Sequence, residues 1–96
     1  MTSTKWGTTE EVERRNRIRL SLAAFSYELL DKSIMTDEEF DSLSKKIRKN
    51  QRTGHPRLDA FFRNHFSVDT GMWIYRHPEL DLLEQLYKRL YGEKDD

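Results

Sequence analysis

The sequence predicts an all-α fold, with one long N-terminal helix and two or three shorter helices packed as a small orthogonal bundle. Three observations predict it. Apolar residues recur at spacings of three and four, and no segment sustains the alternation of a half-buried strand. Ser/Thr-x-x-Glu start signals stand at Thr8 with Glu11 and at Thr36 with Glu39. Gly and Pro punctuate the gaps between periodic segments, at Gly54-His55-Pro56 and at His77-Pro78.

The first helix is expected over about residues 9–30, with Ile18, Leu22, Phe25 and Leu29 as its stripe. Leu20, Ala23, Ala24, Tyr27 and Leu30 widen that stripe in the second half. The first half, EEVERRNRIR, is charged almost all round and is expected to project into solvent. The second helix carries the stronger signals. Thr36 caps it, Met35 and Phe40 have the spacing of a hydrophobic staple, and three acids occupy its first turn. Phe40, Leu43 and Ile47 form its stripe, and Lys45, Lys46, Arg48 and Lys49 crowd its end, where the helix dipole favours cations. Pro56 suits the first position of a third helix, whose apolar side is Leu58, Phe61, Phe62 and Phe66. SVDTGMW reads as a turn. His77-Pro78 is expected to open the last helix, with Leu80, Leu83, Leu86, Tyr87 and Leu90 facing the core. HPRLDAFF and HPELDLLE resemble each other for one turn only, which marks a helix opening used twice rather than a duplication.

The chain of 96 residues is expected to form one domain, with residues 1–8 and 92–96 flexible. Hydrophobic and charged residues each make up 35%, and eleven aromatics argue against full disorder. No cysteine is present, so disulfides, thiolate metal sites and a cysteine nucleophile are excluded. No apolar run is long enough for a signal peptide core or a membrane span, so no membrane partner and a cytoplasmic location are expected. The net charge is zero, and nothing global draws the chain to nucleic acid.

The chemistry concentrates in residues 27–43, YELLDKSIMTDEEFDSL. Tyr27 and Glu28 fall near the end of the first helix. Asp37, Phe40 and Asp41 fall at i, i+3 and i+4 on the second and share a face. A short turn folds the two helices together and brings Tyr27 beside the two carboxylates. An aromatic ring with two acids suits a flat cation, and the acids can accept hydrogen bonds from sugar hydroxyls. The same residues also serve structure: Asp37 answers the helix dipole, Phe40 completes the staple, and Asp41 suits a surface.

This stretch resembles the N-terminal helical subdomain of bacterial NAD-dependent DNA ligases, which captures the nicotinamide mononucleotide half of NAD. The family's hallmark is a Tyr-His pair, an Asp, then Asp-x-x-Tyr-Asp followed by leucine. The register holds here without a gap from Tyr27 through Asp31 and Asp37 to Asp41 and Leu43, and His55-Pro56-Arg57-Leu58 echoes the family's later His-Pro-Glu-Leu. The likeness covers residues 18–58. Glu28 replaces the histidine of the pair and Phe40 the tyrosine of the second motif. The resemblance implies a nicotinamide nucleotide site (NMN or NAD) at Tyr27, Glu28, Asp37, Phe40 and Asp41. No Lys-x-Asp-Gly adenylation motif occurs, so the catalytic part of a ligase is missing. Small stand-alone proteins similar to this piece are typical of phages and prophages.

Two further features can carry a partner. Six basic residues and no acid lie between Ser42 and Leu58, with Lys45, Lys46, Lys49 and Arg52 prominent, and Arg14, Arg15, Arg17 and Arg19 add a second cluster. Together they suit phosphate backbone or an acidic protein surface. Trp73 and Tyr75 follow a Gly turn, and as exposed residues they would be anchors of a protein interface. Catalysis has no matching motif: there is no HExxH, no phosphate-cradling Gly loop and no nucleophile elbow. The first expectation is thus a small non-catalytic, phage-type protein. It would bind and modulate a host macromolecule, with a host protein of DNA processing or defence as the natural partner class. A stand-alone nicotinamide nucleotide module is the alternative, and DNA binding through the basic face a second.

Overall fold

A computed structural model describes residues 9–92, and the expectations for Thr8 and for the chain ends at 1–8 and 93–96 lie outside them. The described residues form four α-helices: α1 Thr9–Leu30, α2 Asp37–Lys46, α3 Pro56–His65 and α4 Leu80–Tyr91. A 3-10 helix, Met72–Arg76, lies between α3 and α4, where only a turn was expected. Helix α1 is the spine, and α2, the 3-10 helix and α4 all pack on it. This wrapping buries residues 20–26 on every side of α1, so no single stripe describes it. Ile18 and Leu29, expected to be inward, are each 39% exposed.

The first half of α1 does not simply project into solvent. Glu13 and Arg17 are 2% and 4% exposed. Arg17 Nε donates to Glu13 Oε2 at 2.7 Å, and its Nη1 donates to Asp59 Oδ1 of α3 at 3.0 Å. Its Nη2 donates to the carbonyls of Arg48 and Gln51 at 2.7 and 2.9 Å. The guanidinium also stands 4.9 Å from the centre of the Phe62 ring. The physical reason lies in residues 47–55, which are irregular and whose buried backbone groups need partners from elsewhere. Glu13 accepts from the Arg48 amide at 2.9 Å, Asp59 accepts from both the amide and the hydroxyl of Thr53, and Arg14 donates to the Thr53 carbonyl. Charges that look solvent-facing in sequence therefore pin the loop between α2 and α3. At Asp59 burial alone would raise the carboxyl. The Thr53 hydrogen bonds and the Arg17 charge outweigh it and hold the group below its ordinary value.

The turn signals read well. Thr36 Oγ1 accepts from the Glu39 amide at 3.0 Å, and the Glu39 carboxylate accepts from the Thr36 amide at 2.8 Å, a complete capping box. Before it, α1 closes through Asp31, whose φ of 58° is the left-handed region. The Lys32 amide donates to the Ser26 carbonyl at 3.0 Å, and the buried Ser26 hydroxyl donates back to the Lys32 carbonyl. Asp31, a position of the ligase-like register, is an exposed turn residue here.

The core joins Leu20, Phe25, Leu43, Ile47, Phe61, Phe62, Phe66, Trp73, Ile74, Leu83 and Tyr87. Trp73 is 4% exposed, with its ring centre 5.3 Å from Phe66 and 5.5 Å from Phe62. It is therefore a core residue and not an exposed partner anchor: the 3-10 helix turns its large apolar ring onto α3. Pro56 is the first residue of α3, as expected, whereas α4 starts at Leu80, two residues beyond Pro78. There His77 Nδ1 accepts from the Glu79 amide at 3.0 Å. The two His-Pro segments thus open their helices differently. Leu83 and Tyr87 of α4 are buried, but Leu90 is 57% exposed, because the helix runs past its neighbours. Gly92 caps α4 with its amide on the Lys88 carbonyl at 3.0 Å.

Candidate functional site

The capping box and the Ser26–Lys32 closure fix how α2 turns back on α1, and a pocket of about 320 Å³ opens at that junction. Tyr27, Glu28, Asp37, Phe40 and Asp41 all line it. The five residues named from sequence are thus brought together in one concavity. Tyr27 is 60% exposed and offers its ring at the mouth, while Phe40 is half-buried against the core. Asp37 sits in the first turn of α2. Asp41, one turn later, is held by Lys45 Nζ at 3.1 Å on the exposed side.

The opposite wall comes from residues that the sequence reading passed over as a turn. Val68, Asp69, Thr70 and Gly71 line the pocket, as do Ser33, Ile34 and Met35 of the α1–α2 turn and the small residues Ala23 and Ala24 of α1. A Cβ added at Gly71 would lie 3.4 Å from the Phe40 ring and 3.8 Å from the Glu28 carboxylate. The glycine therefore leaves space inside the pocket, and its negative φ of −97° imposes no backbone demand. Glu28 is tied from behind: the Tyr75 hydroxyl donates to its carbonyl at 2.9 Å and approaches its carboxylate at 3.5 Å. Tyr75, read from sequence as a partner anchor, is 48% exposed but has this positioning role beside the pocket. The only advance signal was the Gly71 turn within SVDTGMW.

The pocket's charge is one-sided. Glu28, Asp37, Asp41 and Asp69 line it, and no Lys, Arg or His does so among the described residues. Two aromatic rings beside four carboxylates make a receptor for a cation, with the ring faces favouring a flat one. The rest of the lining is largely apolar, with Ala23, Ala24, Ile34, Met35 and Val68 beside the rings, so the site joins an apolar surface to negative charge and does not match an anion.

Elsewhere the predicted basic face is only partly present. Lys46, Lys49 and Arg52 are exposed and make no ion pair among the described residues, but Lys45 is engaged by Asp41. Arg17 is withdrawn into the interior and Arg14 faces Glu10 at 3.6 Å, while Arg15 and Arg19 of the same cluster are exposed. A second recess of about 250 Å³, mostly apolar, lies between α1, α3 and α4 near Ile18, Phe62 and Leu82. His77 borders it, and burial lowers its imidazole to about 4. Among the described residues, no group of three His, Asp or Glu side chains is placed to hold a metal ion, and no helix is long and apolar enough to cross a membrane.

No protein-family model, curated protein or solved structure matches this chain.

Proposed function

We propose that the chain is a non-catalytic binding module whose α1–α2 pocket takes the nicotinamide-riboside portion of a nicotinamide nucleotide such as NMN or NAD. The observation that carries this reading is the convergence of Tyr27, Glu28, Asp37, Phe40 and Asp41 on one acidic, aromatic pocket. The nicotinamide ring of the oxidised nucleotide is flat and cationic, so a ring face and carboxylates complement it. Carboxylates can also accept from ribose hydroxyls. The resemblance to the ligase subdomain supports the same ligand class. Glu28 in place of histidine adds negative charge, and Phe40 in place of tyrosine keeps the ring without the hydroxyl. Calorimetric titration with NMN tests the reading. Binding that weakens in Asp41→Asn and in Tyr27→Ala supports it, and no heat up to millimolar ligand sinks it. Incubation with NAD is expected to leave no covalent adenylate, since no Lys-x-Asp-Gly motif is present.

A second reading, a host macromolecule as partner, is favoured by the exposed cations Lys46, Lys49 and Arg52, which make no ion pair among the described residues. A phage-type modulator of a host DNA-processing or defence protein would present such a surface to an acidic partner. Direct DNA binding would instead show a steep salt dependence, with a log–log slope of about 0.9 per phosphate neutralised. Reversal of Lys46, Lys49 and Arg52 to glutamate is expected to abolish either interaction while leaving nucleotide binding intact. Trp73 is buried and offers such a partner no aromatic anchor.

A further inference from the structure

We infer that the α1–α2 pocket selects a pyridinium nucleoside without a phosphate over the corresponding phosphorylated nucleotide. The inference rests on the reading of that pocket as a nicotinamide-riboside site and specifies which charge form of the ligand it prefers. Two observations carry it. Glu28, Asp37, Asp41 and Asp69 all line the cavity, and no cationic side chain lines it among the described residues. A 5′-phosphate in or near the mouth would meet four carboxylates of which, among the described residues, only Asp41 has a cationic partner, and the repulsion acts between largely exposed groups that salt screens.

Two features near the pocket are of a kind that serves a phosphate elsewhere, and neither is free to do so here. The N-terminus of α2 borders the pocket, and helix N-termini commonly hold phosphates. Here the capping box already occupies the Glu39 amide with Thr36 Oγ1, and Asp37, Glu38 and Glu39 surround the remaining amides with negative charge. Lys45, the cation paired with a pocket carboxylate, is held 3.1 Å from Asp41 and does not line the cavity. The ring faces of Tyr27 and Phe40 serve the pyridinium equally in both ligands, so the difference between them falls on the phosphate.

The test compares nicotinamide riboside, nicotinamide mononucleotide and neutral nicotinamide by calorimetry, at low and at high ionic strength. Nicotinamide riboside is expected to bind about tenfold or more tightly than the mononucleotide at low ionic strength. Salt should narrow that gap. Neutral nicotinamide is expected to bind most weakly, as it lacks both the charge and the ribose. Asp37→Asn with Asp41→Asn should weaken the riboside and shrink the preference. Both sites are exposed, and a circular dichroism spectrum checks that the fold is retained. Gly71→Ala, which fits without a clash and fills the cavity beside Phe40, should weaken both ligands together. If the mononucleotide binds as tightly as the riboside or more so, the charge selection is wrong while the nicotinamide reading stands. If neither binds, the reading beneath it falls as well.

Discussion

Replacing Arg17 by methionine removes a charge but keeps an unbranched, flexible side chain of related length. The structure sets the expected cost. Arg17 lies 2.7 Å from Glu13 and 3.0 Å from Asp59, and all three side chains are at most 10% exposed. Removing one partner of a buried ionic group leaves the others uncompensated, at about 3–5 kcal/mol. The carbonyls of Arg48 and Gln51 also lose their donor, which pulls the value towards the upper half of that range. Asp59 keeps both Thr53 hydrogen bonds and Glu13 keeps the Arg48 amide, which limits the loss. A net cost of about 4 kcal/mol is a large part of the roughly 5–14 kcal/mol expected for a domain of this size. It corresponds to a fall in Tm of about 15–30 °C. Urea unfolding followed by circular dichroism reads the cost directly. Arg17→Lys restores charge without the planar fork and is expected to recover only part of it. A cost below about 1 kcal/mol for Arg17→Met would refute the claim that this network holds the 47–55 segment in place.

The other stability predictions follow from burial. Leu43→Ala and Ile47→Ala are each expected to cost about 2–4 kcal/mol in the same urea assay, since both side chains are buried and leave cavities in a small core. Ser44→Ala is expected to be neutral or slightly stabilising, because the Ser44 hydroxyl is buried with no hydrogen-bond partner, and a large loss would reveal a partner. Stability should fall on acidification from about pH 6.5 towards 4. Burial lowers His77 from 6.5 to about 4, so the unfolded chain takes up the proton first, worth at most about 3 kcal/mol. His77→Gln should flatten that window in a pH series of urea melts. Asp59, held below 3.8, adds a further loss only at lower pH.

Local signals with a fixed spacing were the most legible in the sequence. The Thr36–Glu39 capping box, Pro56 at the start of α3 and the α1–α2 turn could be read because each depends on neighbours within a few residues. That reading was enough to bring Tyr27, Glu28, Asp37, Phe40 and Asp41 to one place, since all five lie on the two helices that the turn joins. What failed depends on distant contacts. Glu13 and Arg17 look like solvent-facing charges until the distant loop at Arg48 and Gln51, and Asp59 of α3, are seen to require them. Trp73 looks like a free aromatic because a 3-10 helix has no clear hydrophobic period, and only packing on Phe62 and Phe66 shows it turned inward. The far wall of the pocket, Asp69 to Gly71, reaches α1 and α2 only through tertiary packing, so nothing in its own sequence announces a site.

The claim that the α1–α2 pocket is the ligand site is tested most directly by backbone amide NMR during a titration with nicotinamide riboside. Saturable shift changes are expected at Tyr27, Glu28, Asp37, Phe40, Asp41 and Gly71, on both walls of the pocket. Amides around Ile18 and Leu82, at the apolar recess on the other side of α1, should stay in place. Shifts confined to that recess, or no saturable shifts at millimolar ligand, would contradict the account.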